Sequence, residues 1–206
     1  LDRLLTNNRI WVDRTKGVGV FTAEQAIAYS LSGPCLRASN VNIDLRRDNP
    51  YLAYGELEFD VPVAKGGDVY DRYLIRLAEI FESTRILRQI VEKMPKGPIW
   101  ADDKRVRIPE KERVYNSMES MIHHFKFFME GFEVPEGEAY CPMEGPNGEV
   151  GFYAISRGGP KAYRLRIRAP SFFMFQSTPE MIEGEKISDV VATVGSLNVI
   201  AGELDR

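Results

Sequence analysis

The sequence predicts an α+β chain, mainly helical with a small antiparallel sheet. Three observations predict it. Two stretches, residues 68–94 and 109–131, carry apolar residues at helical spacing. After Pro135 the pattern changes to short alternating segments separated by glycine-rich turns, which reads as strands. From Val190 to Ile200 no side chain is ionised. That run is too short to cross a bilayer and reads as a helix buried in protein. With 206 residues, 44% hydrophobic and 28% charged, the chain can bury a core of one or two domains.

Near the start, Leu4, Leu5, Ile10 and Trp11 call for a core to cover them, as in a chain entered mid-domain. Thr22 followed by Gln25 forms a capping-box pattern, so a short helix is expected over FTAEQAIAYSLS, stopping at Gly33-Pro34. LRASNVNIDLRRDNPY mixes Arg37, Arg46 and Arg47 with Asp44 and Asp48. It reads either as a loop tied by ion pairs or as a subunit contact, since arginine forks suit interface carboxylates. ELEFDVPV, residues 56–63, alternates like a short strand.

Asp68 is placed to N-cap the first long helix. Its apolar face would be Tyr70, Tyr73, Leu74, Leu77, Ile80, Phe81, Leu87, Val91 and Met94, and Pro95 would end it. Pro109 would start a second long helix closed by Gly131. Val114, Met118, Met121, Ile122, Phe125, Phe128 and Met129 are expected to be core, packed on the first helix. GEAYCPME, EVGFYAIS and AYRLRIR are three expected strands, with Asn147-Gly148 the clearest hairpin signal. The chain is thus organised as a helical part (1–134), a sheet (137–168) and a helical tail (171–206). The closing GELDR is expected to dock against this domain or a partner.

Composition limits the chemistry. A net charge of −3 gives no overall electrostatic reason to bind nucleic acid or anionic lipid. No run of eighteen apolar residues is present, so a membrane link is expected to come through partner proteins. Cys35 and Cys141 are too few for a disulfide framework or a zinc site. His123 and His124 are helix neighbours and do not share a face, so they cannot chelate as an i,i+4 pair would. Gly145, Gly148 and Gly151 do not lead from a strand into a helix, which excludes a phosphate loop. Arg164, Arg166 and Arg168 fall on one strand face and need acidic groups opposite, either Glu149 and its neighbours or a partner surface. SLNVIAGELDR sets polar residues around an apolar run, which suits a docked helix or the wall of a site for a polar-headed, long-tailed ligand.

The blocks RIRAPSF, DVVATVGSLNVIAGELDR, SMESMIHHFK and GPCLRASNVNIDLRRDNPY resemble the C-terminal half of the quinone-site (D-type) subunit of proton-pumping NADH:quinone oxidoreductase, respiratory complex I. The resemblance covers essentially the whole chain, and the family subunit is about twice as long. It implies a hydrogenase-large-subunit-like fold, of which this is the C-terminal part. Nickel–iron hydrogenases carry Cys-x-x-Cys-x-x-His in the corresponding region. GSLNVIAGELDR has neither Cys nor His, which excludes a thiolate-bound nickel site.

The resemblance further implies a quinone-reduction chamber with Asn198, Ile200 and Arg206 at or near its wall. The family usually has Asp at position 198, so Asn198 is a departure that removes one proton-linked group. The groups that hydrogen-bond the quinone head belong to the other half, so no residue here is assigned to catalysis. Quinone would be the substrate of the complex. NADH, flavin and iron–sulfur clusters would sit on other subunits, and this chain would bind no cofactor or metal. Expected partners are the subunit with the terminal [4Fe–4S] cluster and the adjoining membrane subunit. The expected location is peripheral, on the cytoplasmic side of the inner membrane. The alternatives are a non-catalytic assembly module and the equivalent subunit of a hydrogenase-related membrane oxidoreductase.

Overall fold

The computed structural model describes residues 2–205, so Arg206 lies outside the described residues. After a π-helical turn, Asp2–Thr6, come helices α1 (Arg9–Thr15), α2 (Ala23–Ala28), α3 (Gly33–Ala38), α4 (Leu45–Asp48) and α5 (Val69–Lys93). Helices α6 (Lys111–Asn116) and α7 (Met118–Met129) follow. Next are strands β1 (Gly137–Gly145), β2 (Gly148–Ser156) and β3 (Arg164–Arg168), then α8 (Pro170–Gln176), α9 (Thr178–Ile182), α10 (Ile187–Leu197) and α11 (Ala201–Leu204). The sheet is antiparallel in the order β1-β2-β3. Among the described residues, no helix is long and apolar enough to cross a membrane.

The chain divides into two compact units. The first gathers residues 1–93, 142–151 and 168–206; the second holds 94–141 and 152–167. In the first, Phe21, Ala26, Leu31, Cys35, Leu36, Met174, Met181 and Leu197 form the core. Helix α5 packs there against α3, α10 and α1. In the second, α6 packs against α7. The two long helices expected to pack on each other thus belong to different units.

Several local expectations hold. Thr22 and Gln25 form the full capping box of α2. Asp68 Oδ1 accepts the Asp71 N–H at 2.7 Å at the start of α5, which satisfies an amide that has no partner inside the helix. Others are corrected. Helix α2 ends at Ala28, and Gly33-Pro34 opens α3 instead of stopping a helix; proline fits a first turn, where its missing N–H costs nothing. Residues 56–63 form no strand. The Glu58 N–H goes to Gln89 and the Asp60 N–H to Glu82, both on α5, and Arg47 donates to the Phe59 carbonyl. Side chains replace the ladder that alternation alone could not supply.

The second long helix is interrupted at Ser117, which turns extended (φ −134°, ψ 121°) and caps α7 by accepting the Ser120 N–H. Its Met and Phe stripe is a further correction: Met118, Met121, Ile122, Phe125, Phe128 and Met129 are exposed. The distal half of α5 behaves alike, with Ile80, Phe81, Leu87, Val91 and Met94 exposed. The periodicity is real, but the buried stripe of α5 is Val69, Arg72, Ile75 and Ile86. Helix α10 is buried on one side only, through Asp189, Thr193 and Leu197, while Ile187 and Val191 face outward. At the start of the chain, Trp11 packs edge-on against Tyr73, whereas Leu4 and Ile10 are exposed.

Candidate functional site

The first unit contains a cleft of about 560 Å³ lined by residues of α3, α4, α5, the β1–β2 hairpin and the end of α10. Its walls differ in character. Ile80, Leu87 and Pro146 are apolar, while Arg37, Arg46, Arg76, Glu79, Glu144 and Asn198 are charged or polar.

Arg37 is the hub of the polar wall, with 1% of its surface exposed. Its Nε and Nη2 donate to Glu79 Oε1 at 3.1 and 2.6 Å. Its Nη1 donates to Glu144 Oε1 at 2.8 Å and to the Ile43 carbonyl at 3.0 Å, and lies 3.6 Å from Asp44. Burial opposes its charge, but Glu79 and Glu144 outweigh that and raise its pKa. Asp44 caps α4 by accepting the Arg46 N–H, and takes two further bonds from the Arg46 guanidinium. Burial works against the Asp44 carboxylate, yet Arg46 and Arg37 together hold its pKa below the usual range. The mixed-charge loop is therefore tied by ion pairs inside its own unit.

Arg72 and Arg76, one turn apart on α5, hold the C-terminal end of α10. Arg72 donates to Ser196 Oγ and to the Gly67 and Gly19 carbonyls at 2.8–2.9 Å. Arg76 donates to the Ser196 carbonyl at 2.7 Å and the Leu197 carbonyl at 3.4 Å. Cations belong at a helix C-terminus, where carbonyls lack internal partners. Burial lowers the Arg72 pKa. Gly19 (φ +56°) permits this approach, since a Cβ there would sit 2.8 Å from Thr193 Oγ1. Arg76 Nε is buried and has no hydrogen-bond partner.

Asn198 ends α10 in the left-handed conformation (φ 55°, ψ 47°), which asparagine tolerates better than most residues. Its Nδ2 donates to Asn147 Oδ1 at 2.8 Å, and Asn147 Nδ2 donates back to the Asn198 carbonyl at 3.0 Å. Asn147 lies in the hairpin turn, which consists of Pro146 and Asn147; Gly148 already opens β2. The hairpin is as expected, its turn falling within Gly145-Pro146-Asn147-Gly148. Ile200 is half-exposed, does not line the cleft, and gives its N–H to Ser171 Oγ at 3.2 Å. Glu203 accepts the Ser171 N–H at the start of α8, so the tail docks on its own unit. Asn198 thus reaches the cleft, Ile200 sits beside α8, and Arg206 falls outside the described residues.

Sequence reasoning missed Arg37, Arg72, Arg76 and Glu144 as site formers. Their partners lie up to 124 residues away, which no local pattern reveals. Of the three strand arginines, Arg168 has a partner in Glu149, at 3.8 Å, and also donates to Ser32 Oγ and the Ser30 carbonyl. His123 and His124 are half-buried, and His124 packs on Phe128. Among the described residues, no group of three or more His, Cys, Asp or Glu is arranged to hold a metal ion.

Together these features define a class: an α+β chain with a half-apolar, charge-lined cleft and long helix faces left apolar. Residues 1–206 match the model of the respiratory-chain NADH dehydrogenase 49 kDa subunit family, and the chain belongs to that family. It is 51% identical over 203 residues to the D-type subunit of NADH-quinone oxidoreductase from Geobacter sulfurreducens, covering 98% of this chain and 52% of that protein. It is 50% identical to the protein of the same name from Gluconacetobacter diazotrophicus (100% and 50% covered) and 47% identical to that of Wolbachia pipientis from Culex pipiens (100% and 53%). The chain spans about half the length of the curated relatives it matches.

Proposed function

We propose that the chain works within NADH:quinone oxidoreductase as part of its quinone-site subunit, forming one wall of the chamber in which quinone is reduced. The observation that carries this reading is the cleft's mixed lining. Ile80, Leu87 and Pro146 offer an apolar flank for an isoprenoid tail. Arg76 and Asn198 set polar groups in the same lining. A few placed polar groups in an apolar cleft are what a ligand of that shape needs. Ile200 and Arg206 are proposed to lie at or near the chamber, as the resemblance implies. Electrons would come from NADH through flavin and iron–sulfur clusters on other subunits.

The exposed faces of α5 and α7 support docking of neighbouring subunits, because contiguous apolar surface of this kind marks an interface. The partners proposed are the subunit with the terminal [4Fe–4S] cluster and the adjoining membrane subunit, with the chain peripheral on the cytoplasmic side. The test is a photoreactive quinone in the assembled complex. Adducts on residues 76–87 or 198–200 that excess quinone suppresses are expected. Adducts confined to other polypeptides refute the reading.

A further inference from the structure

Three successive carbonyls at the end of α10 are met by side chains from other elements. Arg76 on α5 donates to those of Ser196 and Leu197. Asn147, in the β1–β2 turn, donates through Nδ2 to that of Asn198. Asn198 ends the helix in the left-handed conformation, and carbonyls at such an end lack partners within the helix.

One choice of donor then forces the next. A carbonyl only accepts, so Asn147 must turn Nδ2 towards it and Oδ1 towards the Asn198 side chain. That oxygen in turn requires a donor, and Asn198 supplies Nδ2 at 2.8 Å. Asn147 is 3% exposed, and a buried acceptor left without its donor is costly. Turning the Asn147 amide over does not help, because Oδ1 would then face the carbonyl. A carboxylate at position 198 has no hydrogen to give. The backbone of residue 198 therefore dictates the amide of Asn147, and Asn147 dictates an amide at 198.

Asn198 lines the cleft together with Glu144, Gly145 and Pro146 of the hairpin and Arg76 of α5. The reciprocal pair is the seam where the hairpin meets the helix end. We propose that Asn147 is a positioning residue of this cleft: it selects the chemical type of residue 198, fixes the orientation of the Asn198 amide, and through it holds the hairpin against the end of α10. Asn147 does not line the cleft itself and acts only through Asn198. The inference rests on the quinone reading of the cleft.

The pairing has a consequence for charge. In N198D, a protonated carboxyl can give its O–H to Asn147 Oδ1 and keep the seam. Once ionised, it meets that oxygen with a lone pair and opens the seam. In N147K/N198D the ammonium has three donors, enough for both the carboxylate and the residue-198 carbonyl, so the seam holds at neutral pH. The charged groups lining the cleft with position 198 are Arg37 on α3, Arg46 on α4, Arg76 and Glu79 on α5 and Glu144 on β1, with Asp44 beside Arg37. They are common to every variant, so only the pH dependence that N198D adds to the wild-type profile is read.

The test measures quinone KM and kcat from acid to neutral pH in assembled complex at equal content, for wild type, N147A, N198D and N147K/N198D. N147A should raise KM about 10-fold at every pH, the net weight of two modest hydrogen bonds, with kcat little changed. N198D should match wild type at acid pH, and its KM should rise by a similar factor towards neutral pH. N147K/N198D should restore the wild-type KM there. A purely structural residue would lower the yield of complex and leave the KM of what assembles independent of pH. An N198D KM with no added pH dependence, or one that the N147K change does not relieve, overturns the proposal, and these two variants decide it even where N147A does not assemble. If N198D alone blocks assembly, recovery in N147K/N198D upholds the pairing and its absence overturns it. Photolabelling separates the parent reading: labelled cleft residues with these profiles unmoved defeat only the role of Asn147, whereas absence of cleft labelling defeats the quinone site itself.

Discussion

Replacing Arg37 with methionine removes a buried cation from among acids that remain. The wild-type guanidinium makes two hydrogen bonds to Glu79, one to Glu144 and one to the Ile43 carbonyl. Methionine preserves much of the volume and none of those donors. Breaking a buried ion pair by removing one partner costs about 3–5 kcal/mol, because the remaining charge is stranded. With a urea m-value of about 2 kcal/mol/M, the midpoint of the full-length subunit should fall by about 2 M. The loss should shrink at acid pH: without Arg37 the Glu144 pKa rises further, and its protonation removes stranded charge. R37M/E79Q/E144Q should recover most of the loss for the same reason. The assay is urea unfolding followed by circular dichroism at neutral and acid pH. A midpoint shift under about 0.5 M, or no recovery in the triple variant, would refute the claim that Arg37 organises this wall.

Glu144 also sets a sign for stability against pH. Its folded pKa is raised, so the native state binds more protons than the unfolded state between the ordinary carboxylate range and that raised value. Stability should fall as pH rises through that window, and E144Q should flatten the slope in urea titrations. Gly67→Ala should destabilise the subunit far more than Gly17→Ala, by comparison of urea midpoints. Both glycines have positive φ, which costs another residue about 1–2 kcal/mol, but a Cβ on Gly67 would also strike the Phe21 carbonyl while one on Gly17 meets open space. Thr22→Ala should cost about 1 kcal/mol through loss of the α2 cap, read the same way. Ile200→Met should cost less than about 1.5 kcal/mol, read as a urea midpoint.

Legibility in the sequence follows the range of the interaction. Thr22 and Gln25 are three residues apart, and the capping box is readable because both partners lie within one turn. The β1–β2 hairpin is readable for the same reason, whereas the bond from its turn to Asn198 is not. Residues 56–63 mislead because alternation reports a half-buried extended segment, and α5 side chains satisfy its backbone where a strand would have. Ser117 misleads because it breaks the helix without glycine or proline, by capping the next one. The Met and Phe stripe of α7 shows the limit of periodicity, which finds an apolar face but says nothing of what covers it. Arg37 reads as part of an ion-paired loop and Arg72 as a surface arginine, and only the fold brings Glu144 and Ser196 to them.

The reciprocal bonds between Asn147 and Asn198 bear on how the chain is made. The first unit is sewn from three separated stretches, whereas all residues of the second lie between 94 and 167. During synthesis the second unit has every residue it needs before α10 exists. Until Asn198 emerges, the hairpin turn lacks one hydrogen-bond partner, and Arg72 and Arg76 lack the acceptors that the end of α10 gives them. The contacts of the first unit are thus completed only when the stretch 168–206 has been added.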